Sequence, residues 1–273
     1  MNEIKKNLTI GSVFGETFNL YFQNFVRLII PSAIFSVILG ILMHWGYSRM
    51  LNSVSVYNTT GSVEFLIAMI ILLLLFPMFN CYIIKVVSNC YLKKNDDSSE
   101  LIQYSLKKFF PLLGLTLLFS LFTSIGCILL VVPGLILMIG WSLNYVAIAI
   151  EETGPMASLK RSWQLTKGYK GKLFLIYLIW AIVIYAIFAV VLILGGNNIG
   201  SLFTGLTDVT GSYDYTRFSL WFSIIYAITC TLLYPLYSAL ITVIYYKILK
   251  DKEGFATEQL ADDFMSEEKN INE

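Results

Sequence analysis

The sequence predicts an all-helical, polytopic membrane protein with six transmembrane helices and three short cytoplasmic amphipathic helices at the interface. Three observations carry this prediction. Of 273 residues, 57% are hydrophobic and only 14% are charged, against about 25% charged in soluble domains. Mean hydropathy is +0.71. Six apolar segments of roughly 20 residues or more are each long enough to cross about 30 Å of hydrocarbon.

Those segments are approximately 27–46, 65–88, 110–129, 132–150, 173–195 and 218–246. The third and fourth are joined by almost nothing. Pro133-Gly134 suits a tight turn there. The alternative is one long kinked helix over 110–150, but that stretch is twice the membrane thickness, so a hairpin is expected.

Charge placement gives the orientation. Of the 19 Lys and Arg, only Arg49 and Arg217 fall on the side of loops 47–64 and 196–217. This positive-inside asymmetry places both termini in the cytoplasm. An even number of spans agrees. No cleavable signal peptide is expected, because no long apolar run directly follows the charged start. The aromatic content of 15% fits a protein with two wet interfaces.

A short amphipathic segment precedes spans one, three and five. Residues 9–26 put Ile10, Val13, Phe14, Thr17, Phe18, Tyr21 and Phe25 on one helical face. Residues 98–109 repeat the arrangement, with Asp97 or Ser98 as N-cap. Residues 155–167 do so again, with Thr153 or Gly154 as cap and Pro155 in the first turn. ETFNLY (16–21) and RSWQLT (161–166) match at the aromatic and the leucine. The chain therefore divides into a membrane domain, 1–249, built three times from an interfacial helix and two spans (about 9–92, 97–150 and 154–249). An acidic cytoplasmic tail, 250–273, completes the chain. Such a tail is ordinarily solvated and partly disordered.

The third segment, ASLKRSWQLTKG (157–168), is the densest in cations. Met156, Leu159 and Trp163 form a stripe flanked by Lys160 and Lys167. Their stems cover apolar surface while the ammonium groups reach lipid phosphates. Arg161, Lys170 and Lys172 add charge, each basic residue contributing about 1 kcal/mol near an anionic leaflet. Lys160, Arg161, Trp163, Lys167, Lys170 and Lys172 are the candidate residues for a lipid head group. Leu165 points away from the stripe, as if to pack on protein. Gly168 and Gly171 do not make a phosphate loop.

Within the spans, Lys85 is expected to snorkel toward the cytoplasmic surface; the alternative is an intramembrane polar pair with Glu151 or Glu152, of which Lys85 and Glu151 are the candidates. Asn80, Asn89 and Asn144 are expected to hydrogen-bond between helices. Pro77 and Pro235 interrupt spans two and six. The lone histidine, His44, excludes an HExxH zinc site and leaves a histidine-based triad hard to build. Cys81, Cys90, Cys127 and Cys230 read as small core residues. Asn58-Thr59-Thr60 is a formal glycosylation triplet without meaning in a bacterium, and Asp208 and Asp214 hold a cation weakly at best. No catalytic residue, metal or cofactor is expected, and a net charge of +1 points to no nucleic-acid partner.

The stretch from Pro133 to about Tyr177 resembles the bacterial family of the membrane domain of glycerophosphoryl diester phosphodiesterase and its six-span relatives. The residues that carry the resemblance are Pro133-Gly134, Trp141, Glu151, Gly154, Ala157, Leu159, Ser162-Trp163, Leu165-Thr166 and Gly168. The opening GSVFGETFNLYFQNF is similar to the start of such proteins. In that family a soluble phosphodiesterase barrel can follow the membrane region. Only about 25 residues follow the last span here, against the roughly 250 a barrel needs. The expectation is therefore a non-enzymatic bacterial plasma-membrane protein in an accessory, scaffolding or membrane-protective, immunity-like role. The alternative is transport or handling of lipids or small amphiphiles through an anionic head-group site on the inner leaflet. Expected partners are membrane lipids, anionic on the cytoplasmic side, and a protein within the membrane.

Overall fold

The computed structural model describes residues 8–56, 60–94, 97–129, 131–151, 153–194 and 215–254. Among these the chain is all-helical, with no strand. The helices are α1 (Ile10–Gln23), α2 (Phe25–Val56), α3 (Thr60–Leu92), α4 (Ser98–Lys107), α5 (Phe109–Leu129), α6 (Val131–Gly140), α7 (Asn144–Ile150), α8 (Pro155–Thr166), α9 (Lys170–Leu194) and α10 (Tyr215–Glu253). Six stretches are long and apolar enough to cross a membrane: Phe25–Met50, Gly61–Leu92, Phe109–Leu129, Val132–Ile150, Lys170–Ile187 and Phe222–Glu253. They coincide with the six segments read from the sequence.

Two compact units divide the chain. The first holds residues 1–28, 77–174 and 235–273, and the second holds 29–76 and 175–234. In the first unit the core gathers on the second half of α10, where Ala239, Leu240, Val243, Ile244, Tyr245 and Ile248 are fully buried. Ile83, Ile84 and Val87 of α3, Leu112 and Leu115 of α5, and Val146 to Ala149 of α7 complete it. In the second unit small residues let helices approach. A Cβ on Gly40 would lie 3.2 Å from Ala227 Cβ, and one on Gly46 would lie 3.0 Å from Ala68 Cβ. Ser36 and Thr231 share a hydrogen bond, and His44 Nδ1 lies 3.0 Å from Ser219 Oγ. The lone histidine is thus paired within the bundle.

The third and fourth spans form the expected hairpin, but Pro133-Gly134 is not its turn. Both residues already belong to α6. Proline is tolerated in a first helical turn because its missing N–H would have no partner there. Gly134 serves a close crossing instead: a Cβ on it would lie 2.3 Å from Cys127 Sγ and 2.8 Å from Cys127 N. Gly126 faces the same crossing, where a Cβ would lie 3.2 Å from Gly134 Cα.

Two further expectations are corrected. Pro77 and Pro235 lie inside the continuous helices α3 and α10 and break neither. Membrane helices keep proline because neighbouring groups satisfy the freed carbonyl. The break falls in span four, where Trp141–Leu143 form a turn between α6 and α7. Of the four cysteines, Cys81 and Cys90 are buried, Cys230 is half-buried and Cys127 is exposed; all are free thiols.

The three short helices form where the sequence places them. The Asp97 side chain caps α4 by accepting from Ser99 N at 2.9 Å, and Gly154 with Pro155 opens α8. Each turns one edge into the protein: Val13, Thr17, Leu20 and Tyr21 of α1, Leu101 and Ser105 of α4, Ser158, Leu159, Ser162, Leu165 and Thr166 of α8. The apolar face expected of α1 is therefore divided. Its rings stack along the helix, Phe14 to Phe18 at 6.5 Å and Phe18 to Phe22 at 6.3 Å, and Phe18 and Phe22 remain exposed. Ile102 and Leu106 are the exposed apolar pair on α4. Asn58, Glu152, the loop around Asp208 and Asp214, and tail residues 255–273 lie outside the described residues.

Candidate functional site

α8 sits at the centre of the candidate site, held by its hydroxyl-bearing edge. Ser162 Oγ donates to the Gly140 carbonyl at 3.0 Å and accepts the Leu143 amide at 3.1 Å. Thr166 Oγ1 donates to the same carbonyl at 3.0 Å. Gly140 and Leu143 flank the break in span four. A helix that stops inside an apolar slab leaves backbone groups that need partners, and α8 supplies them. Both hydroxyls are fully buried. Gly140 also makes room for the Trp163 ring, since a Cβ there would lie 2.3 Å from Cε3. Trp163 packs at 6.2 Å from Trp141, which meets Phe122 at 5.9 Å.

Leu165 is buried at 1% exposure, packed on protein as its position off the stripe suggests. The stripe of Met156, Leu159 and Trp163 does not act as one face: Met156 is exposed, Leu159 buried, Trp163 half-buried.

The second fastening of α8 is ionic. Arg161 Nε donates to Glu151 Oε1 at 2.7 Å and Oε2 at 2.9 Å. Its two terminal nitrogens grip Glu253, at 2.6 Å to Oε1 and 3.0 Å to Oε2. Tyr245 OH donates to Glu151 as well. The Glu253 hydrogen bond, with help from Glu151, raises the Arg161 pKa against the opposing effect of burial. An arginine forked between two carboxylates is a charge-assisted clamp. The clamp ties α8 to the end of α7 and the last turn of α10. Lys252 adds to it, donating to the carbonyls of Gln164 at 2.6 Å and Lys167 at 2.9 Å. A cation on the last carbonyls of a helix is the favourable end for its dipole. Tyr169 OH donates to Asp251 Oδ2 at 3.3 Å. Asp251, Lys252 and Glu253, expected in a solvated tail, are thus helical and bound.

The structure separates the six head-group candidates. Arg161 serves the clamp, and Lys172 Nζ donates to the Leu8 carbonyl at 3.0 Å. Lys160 is exposed on α8. Trp163, Lys167 and Lys170 come together, with Gln164, Gly168 and Gly171, around an open cleft of about 610 Å³. That volume lies within the range of small-ligand pockets. Lys170 Nζ rests over the Trp163 ring, 3.2 Å from its centroid, a cation–π contact. Gly168 turns the chain from α8 into α9 at φ 89, a left-handed conformation that favours glycine. Gly171 has open space where a Cβ would be. The cleft thus presents an indole capped by one ammonium, with a second lysine in its lining.

Of the polar pair, Glu151 takes Arg161 and Tyr245, while Lys85 Nζ lies 4.2 Å from the centroid of Tyr104. Tyr104 OH donates to the Ala149 carbonyl at 3.2 Å. Asn144 acts locally, Oδ1 accepting from Tyr145 N at 2.6 Å. Sequence reasoning missed Tyr245, Lys252 and Glu253. The first hides in an apolar run, and the others read as part of an acidic tail. Among the described residues, no group of three or more His, Cys, Asp or Glu is placed to hold a metal.

Residues 120–273 match the family model described as the membrane domain of glycerophosphoryl diester phosphodiesterase. The match covers α8, the cleft and both fastenings. No curated protein and no solved structure matches the chain.

Proposed function

We propose that this chain, which belongs to the family of the membrane domain of glycerophosphoryl diester phosphodiesterase, is a non-enzymatic accessory protein of the bacterial plasma membrane. In this reading it scaffolds a membrane assembly or protects the membrane, and engages anionic lipid head groups of the cytoplasmic leaflet through the cleft beside α8. The observation that carries the reading is the assembly of Trp163, Lys167 and Lys170 at one open cleft. A phosphodiester suits such a site, its charge meeting the ammonium groups and its apolar part the indole.

Passage of a lipid through the bundle has less support. The break in span four is the natural place for a path, yet Ser162 and Thr166 fill it from α8. A sealed break favours anchoring over transit.

Native mass spectrometry of the protein extracted with its own lipids tests the reading. The comparison is wild type against a Lys160→Gln, Lys167→Gln, Lys170→Gln variant. Arg161 stays intact because it holds the fold. A defined anionic lipid retained by wild type and lost from a variant of equal thermal stability supports a head-group site. The same loose lipid mixture on both proteins rejects it. A protective role has its own readout, sensitivity of a deletion strain to a secreted peptide with otherwise normal growth.

A further inference from the structure

We propose that the cleft is also the docking site of the chain's own C-terminal segment, residues 255–273. The argument starts at the last turn of α10. Lys252 donates to the carbonyls of Gln164 and Lys167, both of which line the cleft. Glu253 is clamped by Arg161, two residues before Trp163. Gly254 then ends the helix at φ 71, with nothing within 4 Å of where a Cβ would be. The chain therefore leaves α10 at the rim of the cleft, from a point fastened to the same helix that forms its wall.

The C-terminal segment has the matching chemistry. Residues 255–273 read FATEQLADDFMSEEKNINE, with six acidic residues against one lysine. Leu260, Phe264 and Met265 are interleaved with Asp262 and Asp263. Carboxylates toward Lys167 and Lys170, with an aromatic or aliphatic side chain against the edge of the indole that Lys170 caps, fit this lining. Leu260 is six residues beyond Gly254 and Phe264 ten, within extended reaches of roughly 20 and 34 Å. Covalent tethering at the rim raises the effective concentration of this segment far above that of a free peptide. The cleft holds a few side chains, not a folded partner. A corollary rests on the head-group reading: the segment and an anionic lipid compete for Lys167 and Lys170.

Photocrosslinking in the full-length protein tests the docking. Phe264 is replaced by p-benzoylphenylalanine, the protein is reconstituted in nanodiscs of phosphatidylcholine alone, and adducts are mapped by mass spectrometry. The expected adducts are intramolecular and fall within residues 163–171. They drop roughly tenfold in a Lys167→Gln, Lys170→Gln background of unchanged thermal stability. Adducts elsewhere, adducts insensitive to those substitutions, or a crosslinked dimer whose yield falls on dilution would each overturn the proposal. Truncation after Gly254 separates the corollary. Increased retention of anionic lipid supports competition. Crosslinking at the cleft with no change in lipid retention leaves the docking standing and removes the competition alone, while the lysine variant described above decides the head-group reading.

Discussion

Ser162 donates a hydrogen bond to the Gly140 carbonyl at 3.0 Å, across a break in the fourth span, while accepting the Leu143 amide at 3.1 Å. One hydroxyl thus satisfies both sides of the interruption. The first prediction comes from this bond. Ser162→Ala strips the buried Leu143 amide of that bond and costs about 1–3 kcal/mol. Thr166→Ala costs less, because Ser162 still serves the shared carbonyl. The double variant exceeds the sum of the two, since only then does Gly140 lose both hydroxyls. Unfolding midpoints in mild detergent measure this, and strict additivity would contradict the shared-acceptor geometry.

The α5–α6 hairpin is predicted to reject any side chain at position 134. Gly134→Ala places a methyl 2.3 Å from Cys127 Sγ and 2.8 Å from Cys127 N. Removing the sulfur with Cys127→Gly leaves the backbone clash, so the double variant stays destabilised. Full rescue would show that the side chain alone sets the crossing distance.

Two ion pairs fasten short helices to α10, and they are predicted to differ greatly in weight. Arg161 grips two carboxylates and is one-quarter exposed. Arg161→Gln leaves Glu151 partly buried without its counter-charge, at a cost of about 3–5 kcal/mol. Arg161→Lys recovers only part of this, because a single ammonium cannot fork to two partners. The Lys247–Glu16 pair, also 2.6 Å long, has a glutamate that is 48% exposed. Glu16→Gln is expected to cost under about 1 kcal/mol. Equal shifts in thermal midpoint for Arg161→Gln and Glu16→Gln would refute this ranking.

Tyr169 is predicted to make folding sensitive to alkali. Burial, and then the charge of Asp251, raise its phenol pKa above the usual 10.0. A raised pKa in the folded state means that the native protein holds its proton longer than the unfolded chain. The resulting stabilisation is complete below about pH 10 and fades as pH rises through the raised value. Tyr169→Phe should flatten the alkaline limb of stability against pH and remove one late-ionising phenol from the absorbance titration near 295 nm. An unchanged titration would assign the late phenol to another residue.

Much of the architecture was legible because it follows from solvent. A segment such as 110–129 has no charged group to show water, and its length matches a bilayer. Asp97 and the Gly154-Pro155 pair announce helix starts by local chemistry. Leu165 was legible as an anomaly, an apolar residue off the stripe, and it is buried. The break at Trp141–Leu143 was not legible, because Gly140, Ser142 and Asn144 are weak helix formers that membrane helices ordinarily tolerate. Its compensation lies on another helix, 22 residues further on. For the same reason Ser162 and Thr166 enter the sequence reading only through the family resemblance. A hydroxyl meant for water and one meant for a freed carbonyl look alike in sequence. Arg161 shows the limit for charge: its density among lysines suggests lipid, while its carboxylate partners come from α7 and the end of α10.

The interrupted fourth span also bears on how the protein is made. Gly140 and Leu143 leave the ribosome before Ser162 and Thr166, the residues whose hydroxyls complete them. During that interval span four carries an open carbonyl and an open amide within its apolar length. Those two groups meet their partners only once α8 has been translated and packed onto the break, so the finished form of the fourth span depends on chain that follows it.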